Sequence, residues 1–160
     1  LHVQTFCALQ HYDYNEVNRY SYEQLFETMR LLALPYPQAE QLFRRMVFNV
    51  MSRNCDDHTK NFSFLMNEQG QWSLAPAYDV CHAYRPGSEW VSQHALSING
   101  KRKDITRADL QVVAKQMNIK KAHIIIEQIA TAVSDWPVYA KEVEVEKRLR
   151  DAIKKTLLVL

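Results

Sequence analysis

The chain has 160 residues, a formal net charge of +2, and 47% hydrophobic against 24% charged residues. That balance suits one domain, spanning 1–160, with a buried core. It is too weakly basic for a nucleic-acid-binding surface of its own. The longest apolar run, residues 122–126, is broken by His123, so no segment is expected to span a membrane.

Leu1-His2-Val3-Gln4 carries neither a basic cluster nor a small-residue cleavage site, so no signal peptide is expected. The chain starts without Met and already in helix-like sequence, which reads as a fragment or one lobe of something larger. Cys7, Cys55 and Cys81 are an odd set without a CxxC pair, which points to a reducing cytoplasm and not to a disulfide framework.

In chain order, residues 1–9 read as a short helix-like segment and 11–19 as a polar loop. Ser21 followed by Gln24 forms a capping box, and Leu25, Met29 and Leu32 then recur at helical spacing. After Pro35 and Pro37, the residues Ala39, Leu42, Phe43, Met46, Val47 and Val50 make one apolar stripe. This second helix is expected to be deeply packed and to stop just before an Asp-rich stretch. Residues 62–66 and 72–74 read as two strands, joined by a turn at Asn67-Glu68-Gln69-Gly70. Residues 84–91 read as a loop with Pro86 and Gly87, and 95–98 as a short extended piece. Helices are expected at 107–117, 120–133 and 142–158, the first capped by Thr106 with Asp109.

The stretch Asn54-Cys55-Asp56-Asp57-His58-Thr59-Lys60-Asn61 carries the chemistry, together with Asp79 in Pro76-Ala77-Tyr78-Asp79-Val80. An Asp, an Asn five residues later and a second Asp beyond a hairpin are the polar parts that phosphoryl transfer from ATP requires. The first takes a hydroxyl proton, and the other two hold Mg²⁺ against the phosphates. The hairpin explains the spacing, because it carries Asn61 on its entry and returns Asp79 to the same end. Asp56 is therefore the candidate base, and Asn61 and Asp79 are the candidate metal and nucleotide ligands.

Lys60 either reaches a phosphate oxygen or is a solvated lysine paired with Asp57. His58 reads as a hydrogen-bonded loop residue whose titration range also permits acid–base work. Asp57 is expected to cap or orient the loop. The same region offers a rival: Cys55, His58, Cys81 and His82 supply enough thiols and imidazoles for a tetrahedral zinc site. The spacing is poor for that, and it leaves Asp56, Asn61 and Asp79 unexplained.

Residues 54–65, Leu74-Ala75-Pro76-Ala77-Tyr78-Asp79-Val80 and Leu96-Ser97-Ile98-Asn99-Gly100-Lys101 resemble the C-terminal lobe of HipA-type serine/threonine kinases, toxins of bacterial toxin–antitoxin pairs. The resemblance covers about residues 1–136. It implies a mainly helical (α+β), kinase-like lobe with a small β-hairpin beside the active site. It also implies Asp56 as base, Asn61 and Asp79 as Mg²⁺ ligands, and ATP lying between two lobes. Members of that family phosphorylate a protein hydroxyl, with an aminoacyl-tRNA synthetase as the known kind of target. They are held by a DNA-binding helix-turn-helix antitoxin.

Asn54-Cys55 and Val80-Cys81 stand where ordinary protein kinases have His-Arg and Phe-Gly, as they do in the HipA family. The glycine-rich loop and phosphate-positioning Lys of an N-terminal lobe have no counterpart in these residues, so the chain alone is expected to be inactive. Two surfaces complete the reading. Lys101-Arg102-Lys103 is a candidate contact to DNA phosphates with an antitoxin bound. The charged stretch 141–150, with Leu157-Leu158-Val159-Leu160 after it, is a solvated helix or a docking surface.

Overall fold

The structure is a computed structural model describing residues 1–16 and 19–160. Residues 17 and 18 of the predicted 11–19 loop lie outside the described residues. Among the described residues the chain has seven helices and one small antiparallel sheet, so it is helix-rich as expected.

The first nine residues depart from the reading. His2–Thr5 is strand β1, and only Phe6–Leu9 (α1) is helical. The free edge of β2 (Ser63–Met66) gives His2–Thr5 a ladder to complete, with His2 opposite Met66 and Thr5 opposite Ser63. The Thr5 hydroxyl then caps α1 by accepting from the Ala8 N–H. The expected hairpin of β2 and β3 (Trp72–Leu74) is thus the middle and edge of a three-stranded sheet ordered β1-β2-β3. Its turn closes through Gly70 at φ 76°, while Asn67 Oδ1 accepts from the Gln69 and Gln71 amides.

Both capping boxes form as read. Ser21 with Gln24 opens α2 (Tyr22–Leu31), and Thr106 with Asp109 opens α4 (Arg107–Gln116). The long helix α3 (Tyr36–Ser52) has Pro37 in its first turn, where a missing N–H is no loss. Leu42, Phe43, Met46, Val47 and Val50 of its stripe are fully buried, each apolar side chain contributing about 1.5–3 kcal/mol. This helix packs along α5 (Ala122–Ser134) and centres the core.

It stops where Arg53 turns into the left-handed region at φ 60°, with Arg53 N–H on Val50 O and Asn54 N–H on Asn49 O. The Arg53 guanidinium lies 3.7 Å above the Tyr84 ring. That closure ejects the chain from the end of α3 straight into the Asp-rich stretch.

The expected single helix over 142–158 is instead α6 (Trp136–Glu142) and α7 (Lys147–Lys154). Pro137 starts α6 early, and Glu144 at φ 57° ends it, with Val145 N–H on Ala140 O. The apolar tail is not an open docking surface. Leu157, Leu158 and Leu160 pack on the core, and the Leu158 N–H donates to Met51 O at 2.8 Å. No helix of the described residues is long and apolar enough to cross a membrane.

Candidate functional site

After α3 the chain bridges to Ala83 at Asn54, runs without helix or strand through residues 55–58 and makes one 3₁₀ turn, Thr59–Asn61, before entering β2. His58 opens that turn, its Nδ1 accepting from the Lys60 N–H at 3.3 Å. The turn aims Asn61 back at Asp56, and Asn61 Nδ2 donates to the Asp56 carbonyl at 2.9 Å. The five-residue interval in the sequence is therefore one hydrogen-bonded loop. With its nitrogen committed, the Asn61 amide has its oxygen left for a cation.

The return from β3 brings Asp79 to the same place. Asn61 and Asp79 line one narrow cleft with Asn54, Asp57 and Tyr78, and Arg45 forms part of its wall. Asp79 is exposed and has φ 51°, in the sparsely populated left-handed region. Arg45 donates to Ala75 O at 2.7 Å, which pins the strand exit to α3. Burial lowers the Arg45 pKa from its ordinary value.

Asp56 does not line the cleft. Its side chain is half exposed, with Oδ1 3.8 Å from His58 Nε2, too far for a hydrogen bond. The two acids nonetheless share a neighbour, because Cys81 has its thiol pKa raised by burial and then by the charges of Asp79 and Asp56. Lys60 is exposed, and its Nζ sits 3.6 Å from the Tyr14 ring centroid.

The expected alternative of a Lys60–Asp57 pair is wrong for a physical reason: Asp57 is inside the protein. It is 1% exposed and fully bonded, with Oδ1 accepting from the Ala95 N–H at 2.8 Å. Its Oδ2 accepts from the Tyr22 hydroxyl at 2.8 Å and lies 2.9 Å from His94 Nδ1. Behind them Asn49 Nδ2 donates to Tyr22 Oη, and Asn54 Nδ2 donates to Asn49 Oδ1. Burial, reinforced by the Asp57 charge, holds the Tyr22 pKa well above its usual value, so it remains a phenol and a donor. Asp57 therefore orients the loop, in line with the sequence reading.

Tyr22, Asn49, His94 and Ala95 were not singled out from sequence. Asn49 carried a usable signal. It falls on the buried face of the α3 stripe, where an amide needs a partner. His94 and Ala95 sit in an irregular segment without any.

The zinc alternative does not assemble. His82 Nε2 lies 2.7 Å from Thr156 Oγ1, and Cys55 is buried with its thiol pushed up to about 12 by burial and the Asp57 charge. Among the described residues no three His, Cys, Asp or Glu side chains are grouped to hold a metal. The cleft offers oxygens instead, from Asp79, Asn61 and Asn54, whose Oδ1 is buried with no hydrogen-bond partner. That donor set fits a hard cation such as Mg²⁺, which needs few protein ligands when phosphates and waters supply the rest. Of the basic triplet, Arg102 is committed to the Ala95 and His94 carbonyls and the exposed Lys101 to Asp109, so two of its three charges already have partners within the chain.

Comparison places the chain. No curated protein matches it significantly. Its fold is similar to a chain of the solved complex of HipA, HipB and operator DNA from the Shewanella oneidensis MR-1 toxin–antitoxin system, with a TM-score of 0.72 and 19% identity. The match covers 96% of this chain and 41% of that one, so the present chain spans less than half of that protein's length. The model of the HipA-like C-terminal domain matches residues 1–136. With most of its length so matched, the chain belongs to the HipA-like C-terminal domain family.

Proposed function

We propose that this chain is the catalytic lobe of a HipA-like protein kinase, transferring the γ-phosphoryl group of ATP to a Ser or Thr hydroxyl of a protein. The observation that carries the reading is the Asn61 amide tied to the Asp56 carbonyl while Asn61 and Asp79 face one cleft. Bound Mg·ATP supplies the phosphoryl group and the counter-charge that makes it transferable.

Asn61, through its Oδ1, and Asp79, through its carboxylate, would hold the cation. Asp56 takes the proton of the acceptor hydroxyl, and its half-exposed carboxylate suits a substrate arriving from solvent. His58 Nδ1 accepts from the Lys60 N–H, which leaves Nε2 towards Asp56 at 3.8 Å, where a small turn of the half-exposed carboxylate would let the ring orient the base. Lys60 reaches a phosphate oxygen only by leaving the Tyr14 ring, a swing its exposed side chain permits.

By the same reading the partners are a HipB-like helix-turn-helix antitoxin, with DNA met only through it, and a substrate such as an aminoacyl-tRNA synthetase. An N-terminal lobe supplies the glycine-rich loop and Lys, and without it the chain is inactive. The test is intact-mass spectrometry of the full-length gene product after incubation with Mg·ATP, beside its Asp56→Ala and Asp79→Ala versions. A phosphoryl-sized gain in the unmutated protein alone supports the reading. A gain in all three, or in none, refutes it.

A further inference from the structure

Tyr78 precedes Asp79 and is 40% exposed, yet its hydroxyl is fully engaged. It donates to the Lys60 carbonyl at 2.5 Å and lies 2.5 Å from Ser63 Oγ, whose hydroxyl donates to it once the phenol hydrogen is so used. Lys60 and Ser63 bracket Asn61 in the chain. One phenol oxygen therefore bridges the segment that carries Asp79 to both sides of the turn that carries Asn61.

Other features of the same segment make that bridge consequential. Asp79 has φ 51°, a conformation that persists only where neighbours hold it. Val80 and Cys81 beyond it are exposed, and the chain is next bonded to the scaffold at His82 and Ala83. On the other side, Ala75 N–H donates to Ser63 O, and Pro76 and Ala77 are exposed. Between Ala75 and His82, Tyr78 makes the side-chain hydrogen bonds that tie the segment down.

We propose that Tyr78 is a positioning residue of the phosphoryl-transfer site: its hydroxyl fixes Asp79 against Asn61 so that both oxygens meet one Mg²⁺. This rests on the kinase reading above. Tyr78 touches neither nucleotide nor substrate in this role and acts through its neighbour. Outer groups that orient metal ligands typically carry about 10–100-fold in metal affinity. Tyr78→Phe keeps the ring and removes the bridge, while Ser63→Ala removes one of its two contacts.

The experiment is calorimetric titration of the full-length protein with ATP, with Mg²⁺ and again in chelator, on the unmutated protein and on Tyr78→Phe, Ser63→Ala and Asp79→Ala. Tyr78→Phe is expected to weaken Mg·ATP binding about tenfold or more and to leave ATP binding in chelator unchanged. Ser63→Ala is expected to fall between it and the unmutated protein. A purely structural role for Tyr78 would lower both affinities together, and that result overturns the proposal. So does Tyr78→Phe binding Mg·ATP within about twofold of the unmutated protein while Asp79→Ala has lost it, since a positioning group should carry about tenfold or more. That outcome leaves the kinase reading standing. If Asp79→Ala itself binds normally, the kinase reading fails and the proposal falls with it.

Discussion

Replacing Asp57 probes the reasoning most directly, because its buried carboxylate gathers three donors from distant parts of the chain. Asp57→Ala leaves the Tyr22 hydroxyl and His94 Nδ1 buried without their acceptor, while the Ala95 N–H keeps a second contact to Cys55 O at 3.1 Å. Two orphaned donors at about 1–3 kcal/mol each give about 2–6 kcal/mol. The relief of no longer burying a charge offsets part of this, so we expect about 3–4 kcal/mol.

Asp57→Asn keeps the volume and an acceptor for Ala95. Its amide nitrogen then faces a phenol oxygen that can accept, and a His94 ring that can change tautomer. The cost should be about 1–2 kcal/mol. Guanidinium denaturation followed by far-UV circular dichroism measures both, with unchanged slopes if the unfolded state is the same. Equal losses in the two variants, or a loss below about 1 kcal/mol for Asp57→Ala, would show that the network does not hold the loop.

In the native protein Cys81 is exposed, whereas Cys7 and Cys55 are buried, so iodoacetamide at pH 8 should add one adduct before unfolding and three after. Mass spectrometry reads the count, and rapid labelling of Cys55 in the native state would contradict its position. Asp109 is almost fully buried; burial alone would raise its pKa, but bonds from Thr106, Lys101 and Asn99 outweigh that and hold it well below the usual carboxylate range. A lowered native value means that stability is present above the unfolded pKa of about 3.9 and is lost as pH falls from there through the native value. Acid titration of Asp109→Asn should therefore show a shallower loss below about pH 4, and parallel curves would refute the assignment. Glu144→Gly should stabilise by about 0.5–1 kcal/mol, because φ 57° suits glycine, raising Tm by about 1–4 °C. In full-length protein, Asp56→Ala should lower phosphoryl transfer by about 100-fold or more without moving Tm, since its side chain is half exposed.

The helices with strong periodicity or caps were legible. Ser21 with Gln24, Thr106 with Asp109, and the 39–50 stripe all stand where the sequence placed them. So was the turn at Gly70, and so was the return of Asp79 towards Asn61. What escaped depended on partners remote in sequence. His2–Thr5 is a strand because β2 offers an edge some sixty residues on, which local pattern does not encode. The single C-terminal helix failed because Glu144, a residue with no special left-handed preference, adopts that conformation to close α6. In the candidate site, the nearness of Asn61 to Asp56 and to Asp79 was readable from spacing. The burial of Asp57 away from Lys60 was not, because it follows from Tyr22, His94 and Ala95 closing around the carboxylate.

The reach of the Asp57 contacts also sets the order in which the site matures during synthesis. Tyr22 and Asn49 leave the ribosome before Asp57, but Ala95 follows it by 38 positions. At about 5–20 residues per second the carboxylate waits about 2–8 s for its last partners. Until then the nascent Asp-rich loop has α3 and the Tyr22 hydroxyl behind it, and lacks His94 and Ala95 on its other side. The site is thus a late product of translation, completed when the 94–98 segment arrives and seals a loop whose residues were made seconds earlier.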